Sequence, residues 1–308
     1  MSAKVIVIII NWKKEKITKN CLLSLKNGNY KNFQVILIEN RNYKSWNRFF
    51  KSVNIKGKTI YNNGNKGVAE SRNIGIKRAL NIKAKYIWFL DNDTLVDDRA
   101  ITKMVRIMEK EKGVDILTSI ITFSNKNIIW FAGGGFKYFF KYFLIFKNYY
   151  RKNLFNIYPN KGKLKKVDYL VGCSIFTRAN VFKKIGFFDP DYSLYNLEDL
   201  DFCFRAKKRN LGIYIWGERL VRHLKISRKS NLFQDKISEN FAFFMGRNQF
   251  IFANKNLKGL TKFFYTLSLY NIRLFWYLYL CDSWQAKLEY LKGLYQGTLW
   301  LFQKKSQT

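Results

Sequence analysis

Tyr86-Ile87-Trp88-Phe89-Leu90-Asp91-Asn92-Asp93 is the stretch on which the reading of this chain turns. Five consecutive apolar or aromatic residues predict a strand buried on both faces. Two carboxylates, one residue apart, then stand where that strand leaves the core. In open α/β sheets, ligands bind in the crevice beyond the carboxyl ends of the strands. Paired carboxylates in such a place suit a hard divalent cation, and such a cation suits a diphosphate. The same three residues also suit a polar turn, because Asp and Asn are common turn formers.

The flanking sequence sets the context. Upstream, residues 5–10 predict a first buried strand, and Ile17, Cys21, Leu22 and Leu25 fall at helical spacing. Residues 35–38 predict a second strand ending at Glu39-Asn40, and Trp46, Phe49, Phe50 and Val53 a short helix. Residues 58–61 predict a third strand, and residues 67–80 a helix after the loop Asn62-Asn63-Gly64-Asn65-Lys66. Downstream, Met104, Ile107 and Met108 mark a further helix. Strands alternating with helices at this spacing argue for a mostly parallel, doubly wound α/β sheet. Beyond about residue 114 the alternation weakens. Residues 115–123, 128–131 and 212–216 read as strands, Gly133-Gly134-Gly135 as a turn or bulge, and 168–177 as an apolar run around Gly172. After Ser230 the chain becomes rich in Phe, Leu, Tyr and Trp, and residues 240–300 predict helices.

Composition narrows the partners. The chain has 308 residues, 48% of them hydrophobic, enough for a sizeable core and against global disorder. Its 56 Lys and Arg against 21 Asp and Glu give a net charge of +35, which calls for an anionic partner. The excess is mostly Lys scattered along the chain with no dense block, which argues against nucleic acid. Lysine combined with an 18% aromatic share suits an interfacial membrane surface, although a Lys- and Ile-rich compositional bias would give part of the same pattern. The four cysteines, Cys21, Cys173, Cys203 and Cys281, lack metal or redox spacing and read as buried thiols of a reducing compartment. The six-residue apolar run at 5–10 is too short for a signal-peptide core, so a cytoplasmic protein is expected.

Four constellations carry chemistry. Asn11, Glu39 and the Asp91/Asp93 pair, with Asn92 between, end successive strands and would line one crevice; Asn11 and Glu39 could meet a nucleobase or ribose, or cap the following helices. Gly64-Asn65-Lys66-Gly67 opens a helix carrying Arg72 and Asn73, where a helix N-terminus favours anions. Five of the 21 acidic residues fall between 189 and 201: Asp189, Asp191, Glu198, Asp199 and Asp201. A carboxylate there could serve as a general base, or the cluster could be an acidic first turn favoured by the helix dipole. His223, the single histidine, could complete a metal shell with the Asp pair or be structural.

These residues resemble the family-two inverting glycosyltransferases of GT-A fold, most of all the rhamnosyl- and galactofuranosyltransferase-like subset. Val7-Ile8-Ile9-Ile10-Asn11-Trp12 resembles the opening strand, Asn65-Lys66-Gly67-Val68-Ala69 with Arg72-Asn73-Ile74-Gly75-Ile76 the Gly-rich helix start, and Phe89-Leu90-Asp91-Asn92-Asp93-Thr94 the DxD segment. Val171-Gly172-Cys173, Arg178, Val181-Phe182, Ile185-Gly186-Phe187-Phe188-Asp189 and Glu198-Asp199-Leu200-Asp201-Phe202-Cys203-Phe204-Arg205 resemble the acceptor-side block. The resemblance implies an α/β fold with a doubly wound mixed sheet and helices on both faces, in a GT-A catalytic domain over 1–228 with a nucleotide-sugar half at 1–112 and an acceptor half at 113–228, followed by a helical region at 229–308. It implies a nucleotide-diphosphate sugar donor held by Asn11, Glu39, Asn65, Gly67, Arg72, Asp91 and Asn92, and Mg²⁺ or Mn²⁺ at Asp91, Asp93 and His223. It also implies Asp199 as base with Glu198 beside it. Glu39 stands where the family commonly has Asp, and Asn40-Arg41-Asn42 replaces its usual small polar turn. A sugar nucleotidyltransferase, or a basic nucleic-acid or membrane-binding module without catalysis, are the competing readings.

The acceptor expected is a glycan or a polyprenyl-linked one, met by a protein peripheral on the inner membrane face. Residues 263–281 are the best candidate for a membrane span, but Arg273 within them would cost roughly 2.5–3.5 kcal/mol on insertion. A helix lying in the interface is therefore preferred to a span.

Overall fold

β-branched and aromatic runs build the sheet, because such side chains pack well on a pleated surface buried from both sides. The computed structural model describes residues 4–41, 45–124, 128–140, 143–148, 162–192, 194, 196–224 and 236–303. Its N-terminal half runs β1 (Val5–Asn11), α1 (Glu15–Lys26), β2 (Phe33–Glu39), α2 (Trp46–Ser52), β3 (Gly57–Tyr61), α3 (Gly67–Asn81), β4 (Tyr86–Leu90), β5 (Thr94–Val96) and α4 (Ala100–Lys110). There follow β6 (Ile116–Thr122), β7 (Ile129–Phe131), β8 (Gly134–Phe139), β9 (Phe143–Asn148), β10 (Leu164–Lys166), β11 (Ser174–Arg178), α5 (Val181–Ile185), α6 (Glu198–Lys208) and β12 (Ile213–His223). Four helices close the described chain: α7 (Glu239–Asn256), α8 (Gly259–Leu269), α9 (Ile272–Leu280) and α10 (Trp284–Gln303).

One ten-stranded sheet has the order β10-β12-β6-β11-β4-β1-β2-β3, with β5 on β12 and β7 on β6. The run β4-β1-β2-β3 is parallel, as the alternation predicts. The second half departs from it: β11 lies antiparallel between β4 and β6, and β10, β5 and β7 also pair antiparallel. The sheet is therefore mixed, as the GT-A resemblance implies, although the strand–helix alternation by itself points to a mostly parallel one. Continuous hydrogen bonding from β4 through β11 to β6 carries it past residue 112, so the two expected halves share one sheet; the expected boundary at 228/229 falls outside the described residues.

The structure also bears on Gly133-Gly134-Gly135 and on residues 263–281. Gly133 makes the expected turn with φ of 91°, but Gly134 and Gly135 open β8 of a β8–β9 hairpin. A Cβ on Gly134 would lie 2.1 Å from the Tyr169 ring, so close packing rather than a turn requires that glycine. The candidate span at 263–281 breaks at Tyr270-Asn271 into α8 and α9, and among the described residues no helix is long and apolar enough to cross a membrane.

The helical region is fastened to the sheet domain by buried polar contacts. Asn248 Nδ2, fully buried on α7, donates to the backbone oxygens of Tyr192 at 2.8 Å and Asn196 at 2.9 Å. Asn256 Nδ2 donates to Asp201 Oδ1 at 2.7 Å, and Lys255 pairs with Asp189 and Asp191.

Candidate active site

The carboxyl ends of β1, β2 and β4 set the floor of the crevice. Asn11 and Glu39, paired across β1 and β2, have no exposed surface. Asn11 Nδ2 donates to Glu39 Oε2 at 2.8 Å, and Asn11 Oδ1 accepts from Thr18 Oγ1 at 2.7 Å. Glu39 also accepts from Trp46 Nε1 and, on Oε1, from the Arg41 N–H at 2.8 Å. Both side chains, expected to meet the nucleoside, are buried and fully engaged by protein groups where β1 and β2 end. Asn92 joins them, donating to Thr18 Oγ1 at 2.9 Å and Asn11 Oδ1 at 3.4 Å. Asn65 caps the turn before α3, its Oδ1 accepting from the Gly67 N–H at 3.1 Å while Gly67 adopts φ of 78°.

Arg72 is the centre of the charged site. Its side chain is 4% exposed, and Nη1 reaches Glu198 Oε1 at 3.0 Å. Nη2 donates to the Gly172 carbonyl at 2.9 Å and lies 3.7 Å from Asp91 Oδ1. A Cβ on Gly172 would stand 2.3 Å from Arg72 Nη2, so the guanidinium occupies space that only glycine leaves. The Gly172 N–H donates to Asp199 Oδ2 at 2.7 Å, and the Leu200 N–H to Asp199 Oδ1 at 2.7 Å. One arginine and one glycine thus tie residue 91, at the end of β4, to residues 198 and 199 at the start of α6. The chain enters α6 through Asn196 and Leu197, both at positive φ (74° and 71°), a conformation costly for non-glycine residues and one that clusters at functional sites.

Burial of charge raises three carboxyl groups. Desolvation, with Asp199 and Asp91 nearby, pushes Glu198 up to about 7 against the opposing pull of Arg72. Glu198 Oε2 has no hydrogen-bond partner among the described residues. Asp91 stands at the end of β4 with 43% of its side-chain surface open. Desolvation first, then the charges of Asp93 and Asp199, push it up to about 6 against Arg72. Asp199 is also raised, by desolvation, while Arg72 and its two backbone donors hold it down.

The second group gathers where β5 pairs with the end of β12, His223 opposite Thr94. His223 Nε2 stands 3.4 Å from Asp93 Oδ1, and its ring stacks on Trp130 at 4.7 Å. Asp91, Cys173 and His223 each offer an atom within 4.8 Å of the others. Lys14 Nζ lies 3.3 Å from Asp93 Oδ2. Oxygen and imidazole donors at this spacing fit a small divalent cation. Cys173 fits less well, because burial pushes its thiol well above the ordinary range and keeps it a neutral wall of the site.

The acidic cluster of the sequence divides. Glu198 and Asp199 face Arg72 and Gly172, whereas Asp189 and Asp191 serve Lys255, and Asp201 serves Arg205 at 2.8 Å and Asn256. Sequence reasoning did not single out Thr18, Trp130 or Asn248 and read Trp46 only as part of a short helix; their roles depend on tertiary contact. A separate cavity of about 510 Å³, lined by residues such as Asp97, Arg99, Lys103, Glu218 and Arg222, contains none of the site carboxylates.

Comparison with known proteins agrees with this arrangement. The family described as "Glycosyl transferase family 2" matches residues 6–186. The chain is 27% identical to an uncharacterized glycosyltransferase of Methanocaldococcus jannaschii over 268 residues, 83% of each protein. A 119-residue segment, 38% of this chain and 17% of the other, is 32% identical to an uncharacterized glycosyltransferase of Rickettsia bellii. Among solved structures, S. aureus TarS 1-349 in complex with UDP-GlcNAc superposes with a TM-score of 0.60 at 15% identity, over 94% of this chain and 79% of that one. GalNAc-T7 with UDP, GalNAc and Mn2+ superposes with a TM-score of 0.59 at 14% identity, over 82% of this chain and 51% of that one. This chain therefore spans about half the length of GalNAc-T7. At such identities the likeness shows the fold, a GT-A mixed α/β sheet with helices.

Proposed function

This chain belongs to glycosyl transferase family 2, and from that membership we propose that it moves a sugar from a nucleotide-diphosphate donor to a hydroxyl of a glycan or polyprenyl-linked acceptor, with inversion at the anomeric carbon. The observation that carries the reading is the meeting of Asp91 with Glu198 and Asp199 around Arg72, because it joins a diphosphate-type site to a separate carboxylate.

Asp91, Asp93 and His223 would hold Mg²⁺ or Mn²⁺, which supplies charge neutralisation to the leaving diphosphate. Asp199 acts as general base. Both of its oxygens are oriented by backbone N–H groups, and its raised pKa suits a group that must accept a proton near neutrality. It takes the proton of the acceptor hydroxyl as that oxygen attacks the anomeric carbon and the C–O bond to the diphosphate breaks. A single displacement of this kind inverts the centre through a transition state of oxocarbenium character. Glu198, held by Arg72, offers its unpartnered Oε2 to an acceptor hydroxyl.

The 1–228 catalytic and 229–308 helical division belongs to the same reading. A rhamnosyl- or galactofuranosyl-type donor is its finer form; UDP-sugars, the class bound by TarS in its solved complex, are the first donors to try. The test is a thermal-shift screen of nucleotide sugars with manganese, followed by nucleotide diphosphate release with acceptor. Stabilisation and diphosphate release support the reading. Pyrophosphate release from a nucleoside triphosphate and sugar phosphate would replace it with nucleotidyl transfer.

A further inference from the structure

The C-terminal helices turn apolar residues outward. On α8 these are Leu260, Phe263 and Leu267, and on α9 Ile272, Phe275 and Tyr279. Spacings of three and four residues put each set on one face of its helix. The opposite face of α8 is engaged with the protein, with Tyr265 and Leu269 buried, and α9 is anchored at its end by buried Leu280. Ile272 and Phe275 are 78% and 72% exposed, in residue types that ordinarily lie inside. Both helices are thus apolar on the side away from the core as well as toward it, the pattern of elements covered by a further apolar phase.

Charge defines that phase. Residues 259–281 contain no Asp or Glu, and their two cations, Lys262 and Arg273, are occupied by the protein. Arg273 donates to Gln249 Oε1 at 3.1 Å and to the Leu144 carbonyl at 2.6 Å, with its guanidinium 4.0 Å from the Tyr265 ring. Lys262 donates to Asn254 Oδ1. The arginine that weighs against membrane contact in the sequence is therefore turned away from it. Lys258, exposed just before α8, and the chain's net charge of +35 complement an anionic surface. At 11 and 9 residues, α8 and α9 are about 16 and 14 Å long, against a hydrocarbon core of about 30 Å. They can lie in a membrane interface but not cross it.

We propose that the outward faces of α8 and α9 dock in the headgroup–acyl boundary of an anionic lipid membrane, with the helices lying in its plane. This inference stands independently of the transfer chemistry. Its test is flotation of the full chain with phosphatidylglycerol–phosphatidylcholine vesicles and with phosphatidylcholine vesicles, at low and high salt. The variants are Phe275→Ser with Tyr279→Ser on α9, and Leu260→Ser with Phe263→Ser on α8, each checked for an unchanged melting temperature. Wild type should float with anionic vesicles, more weakly at high salt. Either double variant should lower the partition coefficient at least about tenfold, since two interfacial side chains are withdrawn. Wild type that fails to float, or variants that float equally by charge alone, would overturn the proposal. So would light scattering that shows a dimer which the variants convert to monomer, because the faces would then be covered by a second copy.

Discussion

Replacing Arg72 with Met separates the electrostatic account of the site from simple packing. The substitution keeps an apolar stem but removes a buried cation that touches Glu198 Oε1 at 3.0 Å, the Gly172 carbonyl at 2.9 Å and Asp91 Oδ1 at 3.7 Å. Removing one partner of a buried pair costs about 3–5 kcal/mol when the other stays ionised. When the partner can protonate, the cost falls to about 1–3 kcal/mol, that of the lost hydrogen bonds. Glu198 decides between these cases. Its folded pKa, about 7, lies above the ordinary 4.5, so ionising it as pH rises takes stability from the fold, and Arg72 is what limits the loss. At pH 5 the carboxyl is protonated in both proteins, whereas at pH 8.5 wild type carries the charge and the variant has nothing to balance it. Urea denaturation should therefore show a loss of about 1–3 kcal/mol at pH 5 growing to about 3–5 kcal/mol at pH 8.5. The acid limb of the transfer rate should also move to higher pH, because Arg72 holds down Asp199 as well. A loss equal at the two pH values, with an unmoved acid limb, would refute the reasoning.

Gly172→Ala pushes a Cβ to within 2.3 Å of Arg72 Nη2. Loss of a charged hydrogen bond of about 1.5–3 kcal/mol should lower kcat/KM roughly 10- to 100-fold in steady-state assays and lower the melting temperature with it. Asn248→Leu removes the donor shared by the Tyr192 and Asn196 carbonyls, about 1–3 kcal/mol, and frees the segment that delivers Asp199. Its kcat should fall while the KM for donor stays put, which a pure folding defect would not produce.

The fold was legible where one physical pattern governed a whole element. The apolar runs at 5–10 and 86–90 predict β1 and β4, and the 104/107/108 spacing lies on α4. Antiparallel β11 was not legible, because the pairing of Ser174–Arg178 with both β4 and β6 is a choice of neighbours that no local period encodes. Residues 212–216 predicted only the start of β12; register shifts between Trp216 and Val221 break the alternation that would have carried the strand to His223. In the site, Asp91, Asp93, Glu198 and Asp199 stood out because carboxylates are scarce in a chain of charge +35. Asn248 gave no such signal. It is a buried asparagine in an aromatic helix, and only its two carbonyl partners, about fifty residues upstream, give it a role.

The central claim is that residues 91 and 93 serve the donor while residue 199 serves the acceptor. The direct measurement is calorimetric titration of the active nucleotide sugar, with manganese, into Asp93→Ala and Asp199→Asn side by side, each also assayed for transfer. The account predicts that Asp199→Asn binds donor as wild type does and loses transfer by about 10²–10⁴-fold, the usual contribution of a general base, whereas Asp93→Ala loses donor binding itself. Full turnover in Asp199→Asn, or unweakened donor binding in Asp93→Ala, would contradict it.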